Sequence, residues 1–190
     1  MTYYGGKEMA AAFRTVRDNT LKIADEIPED KYSFKPANDS RTIGQTLTHI
    51  ALGPGFQAHI HGNKITDLKT VNFPELMKGV MAEEGKTRSK AEIVAFLKTE
   101  GDKFASFLEG LPESFLSEQV TMPPGATPAT KTRFEMLLGA KEHEMHHRAQ
   151  LMTMQRMVGQ VPHLTRQMQE RMAAMMAAQA AAQPQGATAH

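Results

Sequence analysis

Apolar residues recur at helical spacing in four long stretches of the chain. Met9, Phe13, Val16, Thr20, Ile23 and Ile27 are separated by 4, 3, 4, 3 and 4 positions, the period of one helix face. They predict a first helix over residues 7–27, ended by Pro28, whose ring cannot continue it. A polar, turn-rich connection follows over 28–40, with Lys35-Pro36 and Asn38-Asp39-Ser40. A second helix starts near Ser40 or Thr42 on the stripe Ile43, Leu47, Ile50. Gly53-Pro54-Gly55 is expected to kink or break it, since Pro54 removes a donor and crowds the carbonyl of Ile50. It resumes from Phe56 and ends at Gly62. Residues 62–86 carry no long stripe, and only Phe73-Pro74-Glu75-Leu76 reads as a short turn. Ser89-Lys90-Ala91-Glu92 is a capping box that opens a third helix through Ile93, Leu97, Phe104, Leu108 and Leu111, ended by Pro112.

An irregular connection then runs to Thr130. Thr132-Arg133-Phe134-Glu135 is a second capping box, and the fourth helix reaches Val158, where Gly159 closes it. A fifth helix over 163–179 carries Leu164, Met168, Met172, Met175 and Gln179 on one side. No alternating strand pattern and no internal repeat is visible. Four long amphipathic helices with a shorter fifth predict an all-α four-helix bundle. The connections after the first three helices are all long, so neighbouring helices are free to run parallel as well as antiparallel.

Composition narrows the function classes. At 190 residues the chain is long enough for one domain with a sizeable core. Lys plus Arg is 22 and Asp plus Glu is 21, a balance that argues against a non-specific nucleic-acid or polybasic membrane binder. Cys is 0, which excludes disulfides, thiolate zinc sites and a cysteine nucleophile. Trp is 0, against an aromatic surface for single strands. No apolar run is long enough to span a bilayer. Met1 to Lys7 shows no charged segment leading into an apolar run, so no secretory signal is expected. The expectation is a soluble cytoplasmic protein with no nucleic-acid or membrane partner.

The chemistry concentrates on the fourth helix, in Lys141-Glu142-His143-Glu144-Met145-His146-His147-Arg148. Met136, Ala140, His143, His147, Leu151, Met154 and Val158 share one arc, spaced 4, 3, 4, 4, 3 and 4. Two imidazoles are thus in register with the core stripe, one turn apart, where one metal ion could meet both. Ordinary hydrogen-bonded core histidines are the competing reading, but each would need its own polar partner. His146 falls about 80° outside that arc. Glu144 is equally far from its centre and reads as solvated or as an outer support for a ligand.

A third ligand must come from elsewhere. His49 is the best-placed candidate, off the Ile43–Leu47–Ile50 stripe and between the small residues Thr46 and Gly53. His59 and His61 flank a helix end and read as solvated, while His163 and His190 carry little signal. Phe134, Leu138, Met145 and Met152 form a second apolar line on the fourth helix. The fifth helix or a second subunit must cover that line.

Two segments together resemble the DinB family of metal-binding four-helix bundles. They are Arg41-Thr42-Ile43-Gly44-Gln45-Thr46-Leu47-Thr48-His49-Ile50-Ala51 and His143-Glu144-Met145-His146-His147-Arg148-Ala149-Gln150, with Tyr32-Ser33-Phe34-Lys35-Pro36 leading into the first. The resemblance spans residues 1–160, leaving 161–180 as an added Met-rich helix and 181–190 as a low-complexity tail. It implies a bundle in up-up-down-down order and a divalent-metal site of His49, His143 and His147. It also implies homodimers, and activity as a thiol-dependent transferase or a metal-dependent hydrolase on a small molecule. Three neutral imidazoles suit zinc or nickel and leave at least one position open for water or a low-molecular-weight thiol.

Two alternatives stand beside this. His143-Glu144-Met145-His146-His147 fits the H-E-x-x-H pattern of zinc peptidases, with Glu144 as base and Glu170 as third ligand. The other alternative is a non-enzymatic, stress-related bundle whose metal is structural.

Overall fold

The computed structural model describes residues 4–182. Seven helices and one small hairpin follow in order: α1 (Gly6–Glu26), α2 (Ile43–Gly62), α3 (Phe73–Glu84), α4 (Lys90–Glu109), α5 (Glu113–Leu116), β1 (Gln119–Thr121), β2 (Thr130–Thr132), α6 (Arg133–Met157) and α7 (His163–Ala182). The expected all-α four-helix bundle is formed by α1, α2, α4 and α6, with α7 as the added helix. Both capping boxes form: the Ser89 hydroxyl accepts from the Glu92 N–H, and the Thr132 hydroxyl from the Glu135 N–H. Thr42 caps α2 in the same way through Gln45.

The helix directions differ from the order implied by resemblance. Gly6 at the start of α1 lies against the backbone of Leu108 and Leu111, just where α4 ends. At the other end of the bundle, Lys90 Nζ donates to the Ile27 carbonyl at 2.9 Å, and Gly44 lies beside Ile93. Ile23, Ile43, Ile93 and Leu151 share one core cluster; Met9, Phe104 and Leu137 share another. So α1 and α6 run one way, α2 and α4 the other, and the order is up-down-down-up. The reason lies in the long connections. The link over 63–89 carries α3 along the bundle and returns the chain to the end where α2 began, which makes α2 and α4 parallel. Around the bundle α1 packs on α4 and α6, and α2 packs on the same two helices.

Three local expectations need correction. The 62–86 segment is not irregular, because α3 fills much of it. None of its residues is fully buried, so no core-facing stripe could appear in the sequence. The hairpin β1–β2 pairs Gln119 with Thr132 and Thr121 with Thr130 antiparallel, and three residues per strand are too few for alternation to show. Gly53-Pro54-Gly55 does not break α2. The Ile50 carbonyl that loses its helical partner at Pro54 accepts instead from Arg17 Nη2 at 3.3 Å.

The fifth helix does not cover the second apolar line of α6. α7 is tied to the end of α1, where Arg166 Nη2 donates to Glu26 Oε1 at 2.6 Å and His163 Nε2 meets Asn19 Oδ1 at 3.0 Å. His163 is accordingly buried. Met145 stays exposed, as do Met168, Met172, Met175 and Met176 of α7. Among the described residues no helix is long and apolar enough to cross a membrane. Residues 183–190 of the predicted tail, with His190, and residues 1–3 lie outside the described residues.

Candidate metal centre

His49 projects from the middle of α2 toward α6, and His143 and His147 project from successive turns of α6 toward α2. One nitrogen from each ring falls in a group whose members all lie within 4.8 Å of one another. His49 Nε2 and His143 Nε2 are 3.0 Å apart. The ring centroids are 4.9 Å apart for His49–His143, 4.7 Å for His49–His147 and 4.6 Å for His143–His147. Two nitrogens bound tetrahedrally at about 2.0–2.1 Å from one cation stand about 3.3 Å from each other, so the cluster is close to that geometry.

The far nitrogens are anchored. His49 Nδ1 lies 3.2 Å from Glu84 Oε2, and a carboxylate can only accept, so His49 carries its proton on Nδ1 and turns a lone pair inward at Nε2. His147 Nδ1 donates likewise to Gln150 Oε1 at 2.8 Å, whose amide nitrogen is 3.2 Å from His146 Nε2. His143 is held by packing. A Cβ on Gly53 would stand 2.7 Å from its Nδ1 and 2.9 Å from its Cε1, so only glycine at that position lets the ring lie against α2. The small neighbour beside His49 in the sequence therefore makes room for a different histidine.

Electrostatics favours neutral rings. Burial, then the charges of His147 and His49, push His143 down to about 4. Burial and Arg41 lower His49 against the pull of Glu84, and burial lowers His147 against its bond to Gln150. Burial pushes the Glu84 carboxyl up, but hydrogen bonds and charges from Arg41 and His49 outweigh this and hold it below the usual range. At neutral pH the cluster is three uncharged imidazoles backed by one carboxylate, the protonation state a divalent cation needs.

Glu84 is the site residue that sequence reasoning misses. It ends α3, has no stripe to mark it, and reaches His49 only because the crossover folds back over α2. Its other oxygen accepts from Arg41 Nε. A cavity of about 810 Å³ opens beside His147, lined also by Glu84, Arg41, Lys35, Gln45 and Gln150 among others.

Glu144 is neither solvated nor a free base. It is buried, and its carboxylate accepts from Arg17 Nε at 3.0 Å and from Arg17 Nη2 at 2.9 Å. Arg17 also donates from Nη1 to the Leu97 carbonyl, and its side chain lies where a Cβ on Gly101 would sit, 2.9 Å away. With both oxygens committed to the far side of α6, Glu144 cannot act as the base of an H-E-x-x-H site. Glu170 is exposed on α7 and absent from the three-residue group. His146 and Glu142 are exposed. His59 is exposed as expected, but His61 is buried: its Nδ1 accepts from Arg133 Nη1 at 3.2 Å, and its Nε2 faces Gln57 Oε1 at 3.1 Å.

The model of the DinB superfamily matches residues 12–151. The chain belongs to the DinB superfamily. It is 26% identical over 152 residues to the uncharacterized protein YjoA of Bacillus subtilis (strain 168), covering 80% of this chain and 90% of that one. The crystal structure of the DinB-like YjoA superposes with a TM-score of 0.60 at 22% identity, over 81% of this chain and 94% of that one. YfiT from B. subtilis, described as a probable metal-dependent hydrolase with an unusual four-helix bundle topology, superposes with a TM-score of 0.64. Its identity is 13%, over 84% of this chain and 91% of that one. At these identities the structural likeness establishes the fold, and the chemistry must be argued from the histidines themselves.

Proposed function

We propose that His49, His143 and His147 hold one divalent cation, zinc or nickel, and that the protein is a metal-dependent hydrolase or thiol-dependent transferase acting on a small molecule. The observation that carries this is the convergence of three neutral imidazoles, two of them anchored at the far nitrogen and the third seated against Gly53. One shared proton would satisfy His49 Nε2 and His143 Nε2, 3.0 Å apart, as a simple pair, but His147 brings a third ring nitrogen to the same point, which a pair of packed histidines does not need. Such a cation supplies Lewis acidity, enough to make a nucleophile of water or of a small thiol near neutral pH. That source of nucleophile suits a chain with no cysteine.

The protein's own residues bind and orient. Glu84 and Gln150 fix the tautomers and ring planes of His49 and His147, and Gly53 seats His143. Among the described residues the group has three members, and one of them, His147, lines the cavity through which a small molecule could approach. This favours a working centre over a closed structural one. The description of YfiT as a probable metal-dependent hydrolase supports the same reading. Elemental analysis of the purified protein beside His49→Ala and His143→Ala tests it. Close to one equivalent of metal in the parent and strong depletion in both variants is expected; unchanged metal in both refutes the site. Low-molecular-weight thiols screened with electrophilic substrates then separate transferase from hydrolase.

A second copy of the chain is proposed as partner. Met145 and Met168, Met172, Met175 and Met176 of α7 form apolar surface that no described residue covers, and methionine adapts to irregular partners. Sedimentation should give a dimer; a monomer at micromolar concentration removes the idea.

A further inference from the structure

The cavity that His147 lines carries two cationic side chains, Lys35 and Arg41, and two carboxylates, Asp39 and Glu84. Arg41 stands just before the first turn of α2 and lines the cavity with Lys35, Asp39 and Glu84. Its Nε is committed to Glu84, the same carboxylate whose other oxygen receives His49 Nδ1. One carboxylate therefore clamps a candidate ligand on one side and a guanidinium on the other, which fixes Arg41 relative to the three rings. Its two Nη groups make no hydrogen bond to any described residue. A guanidinium tethered through one edge presents the remaining donors as a planar pair, the geometry that fits two oxygens of one anion.

The charges around the cavity point the same way. Glu84 is matched by Arg41, and the Lys35 ammonium, which donates to the Asn38 carbonyl at 2.7 Å, offsets Asp39. The three rings are neutral. A divalent cation held by them therefore leaves the cavity net positive, and a neutral substrate would leave the free edge of Arg41 unused. Gln45, Gln150, Thr46 and Thr153 add uncharged hydrogen-bonding groups to the lining, and Met154 and Met157 add apolar surface.

We propose that Arg41 is a specificity-determining residue whose free edge binds a carboxylate of the substrate, so that the small molecule accepted here is an organic acid. The proposal rests on the metal reading above, since the same molecule must reach the cation with its other end.

The experiment uses the full chain loaded with cobalt(II) in place of the natural ion. Mercaptocarboxylates with one to four methylenes between sulfur and carboxylate are titrated, each beside its hydroxyl analogue, and binding is read from the cobalt spectrum. At least one acid should bind about tenfold more tightly than its alcohol, the effect of one charge-assisted hydrogen-bonded contact. In Arg41→Gln that preference should vanish while cobalt affinity, measured by chelator competition, is retained. Lys35→Gln should keep most of the preference. Cobalt uptake with no acid preference at any length overturns the proposal alone, as does a preference that survives in Arg41→Gln. No cobalt uptake overturns the metal reading and this proposal with it.

Discussion

His143 and Glu144 are adjacent on α6, about 100° apart around the helix, and they enter two opposite kinds of polar interior. Glu144 faces α1 and meets Arg17, whose remaining donors take the carbonyl that Pro54 leaves open at Ile50 and the carbonyl of Leu97. Each buried oxygen of the carboxylate has a donor, so nothing from outside is needed. His143 faces α2 and meets other imidazoles, whose inward nitrogens include two lone pairs and at most a shared proton. Donors there are in short supply by construction. A buried polar set that completes itself holds the bundle together; one with more inward lone pairs than protons is suited to take up a cation.

The Arg17–Glu144 pair gives the largest test of that contrast. Arg17→Met should lower unfolding stability by about 3–5 kcal/mol in urea titrations, because it strands a buried carboxylate. Arg17→Met combined with Glu144→Leu should recover most of the loss and leave metal content unchanged. If the double variant loses its metal, the two regions are not independent. Gly53→Ala should do the reverse. Its Cβ would displace His143, so metal affinity by chelator competition should fall about 10–100-fold, the size of effect seen when a ligand's support is disturbed. Stability without metal should hold or rise slightly, since alanine favours a helix interior over glycine. Equal metal affinity in Gly53→Ala would break the view that α2 seats the ring.

The smallest effect concerns His61, a histidine satisfied by protein on both nitrogens. Burial, reinforced by the Arg133 charge, pushes it down to about 4. Its pKa in the unfolded chain is near the ordinary value of about 6.5. The unfolded state therefore binds the extra proton between about pH 6.5 and about 4, and the stability this histidine contributes is complete above that window and lost as pH falls through it. Between about pH 7 and 6 the decline should be about 1 kcal/mol or less. Thermal unfolding against pH measures it, and His61→Gln should flatten the curve. By NMR, added zinc should move the resonances of His143 and leave those of His61 in place.

Much of the molecule is legible along the chain because the information is local. The 4,3 spacing of Met9 to Ile27, the capping residues Ser89 and Thr132, and the register of His143 with His147 each depend on residues within a turn or two of one another. His49 is marked by its family segment and by its small neighbours, although what the gap beside it accommodates is His143. Residues whose roles depend on distant partners leave no such trace. Glu84 sits on a helix with no buried face, and Glu144 looks solvated until Arg17, 127 positions earlier, arrives beside it. Pro54 reads as a break because the donor that rescues its orphaned carbonyl comes from another helix.

The sequence by itself determined the four bundle helices and α7, the capping boxes at Ser89 and Thr132, and the two histidines in register on α6, since helix periodicity and capping act over a few residues. Only the tertiary structure decided the up-down-down-up order, the partner of each buried charge, and which imidazoles meet. Those depend on long connections whose lengths permit several arrangements, and on packing that selects the one in which each buried polar group finds its complement.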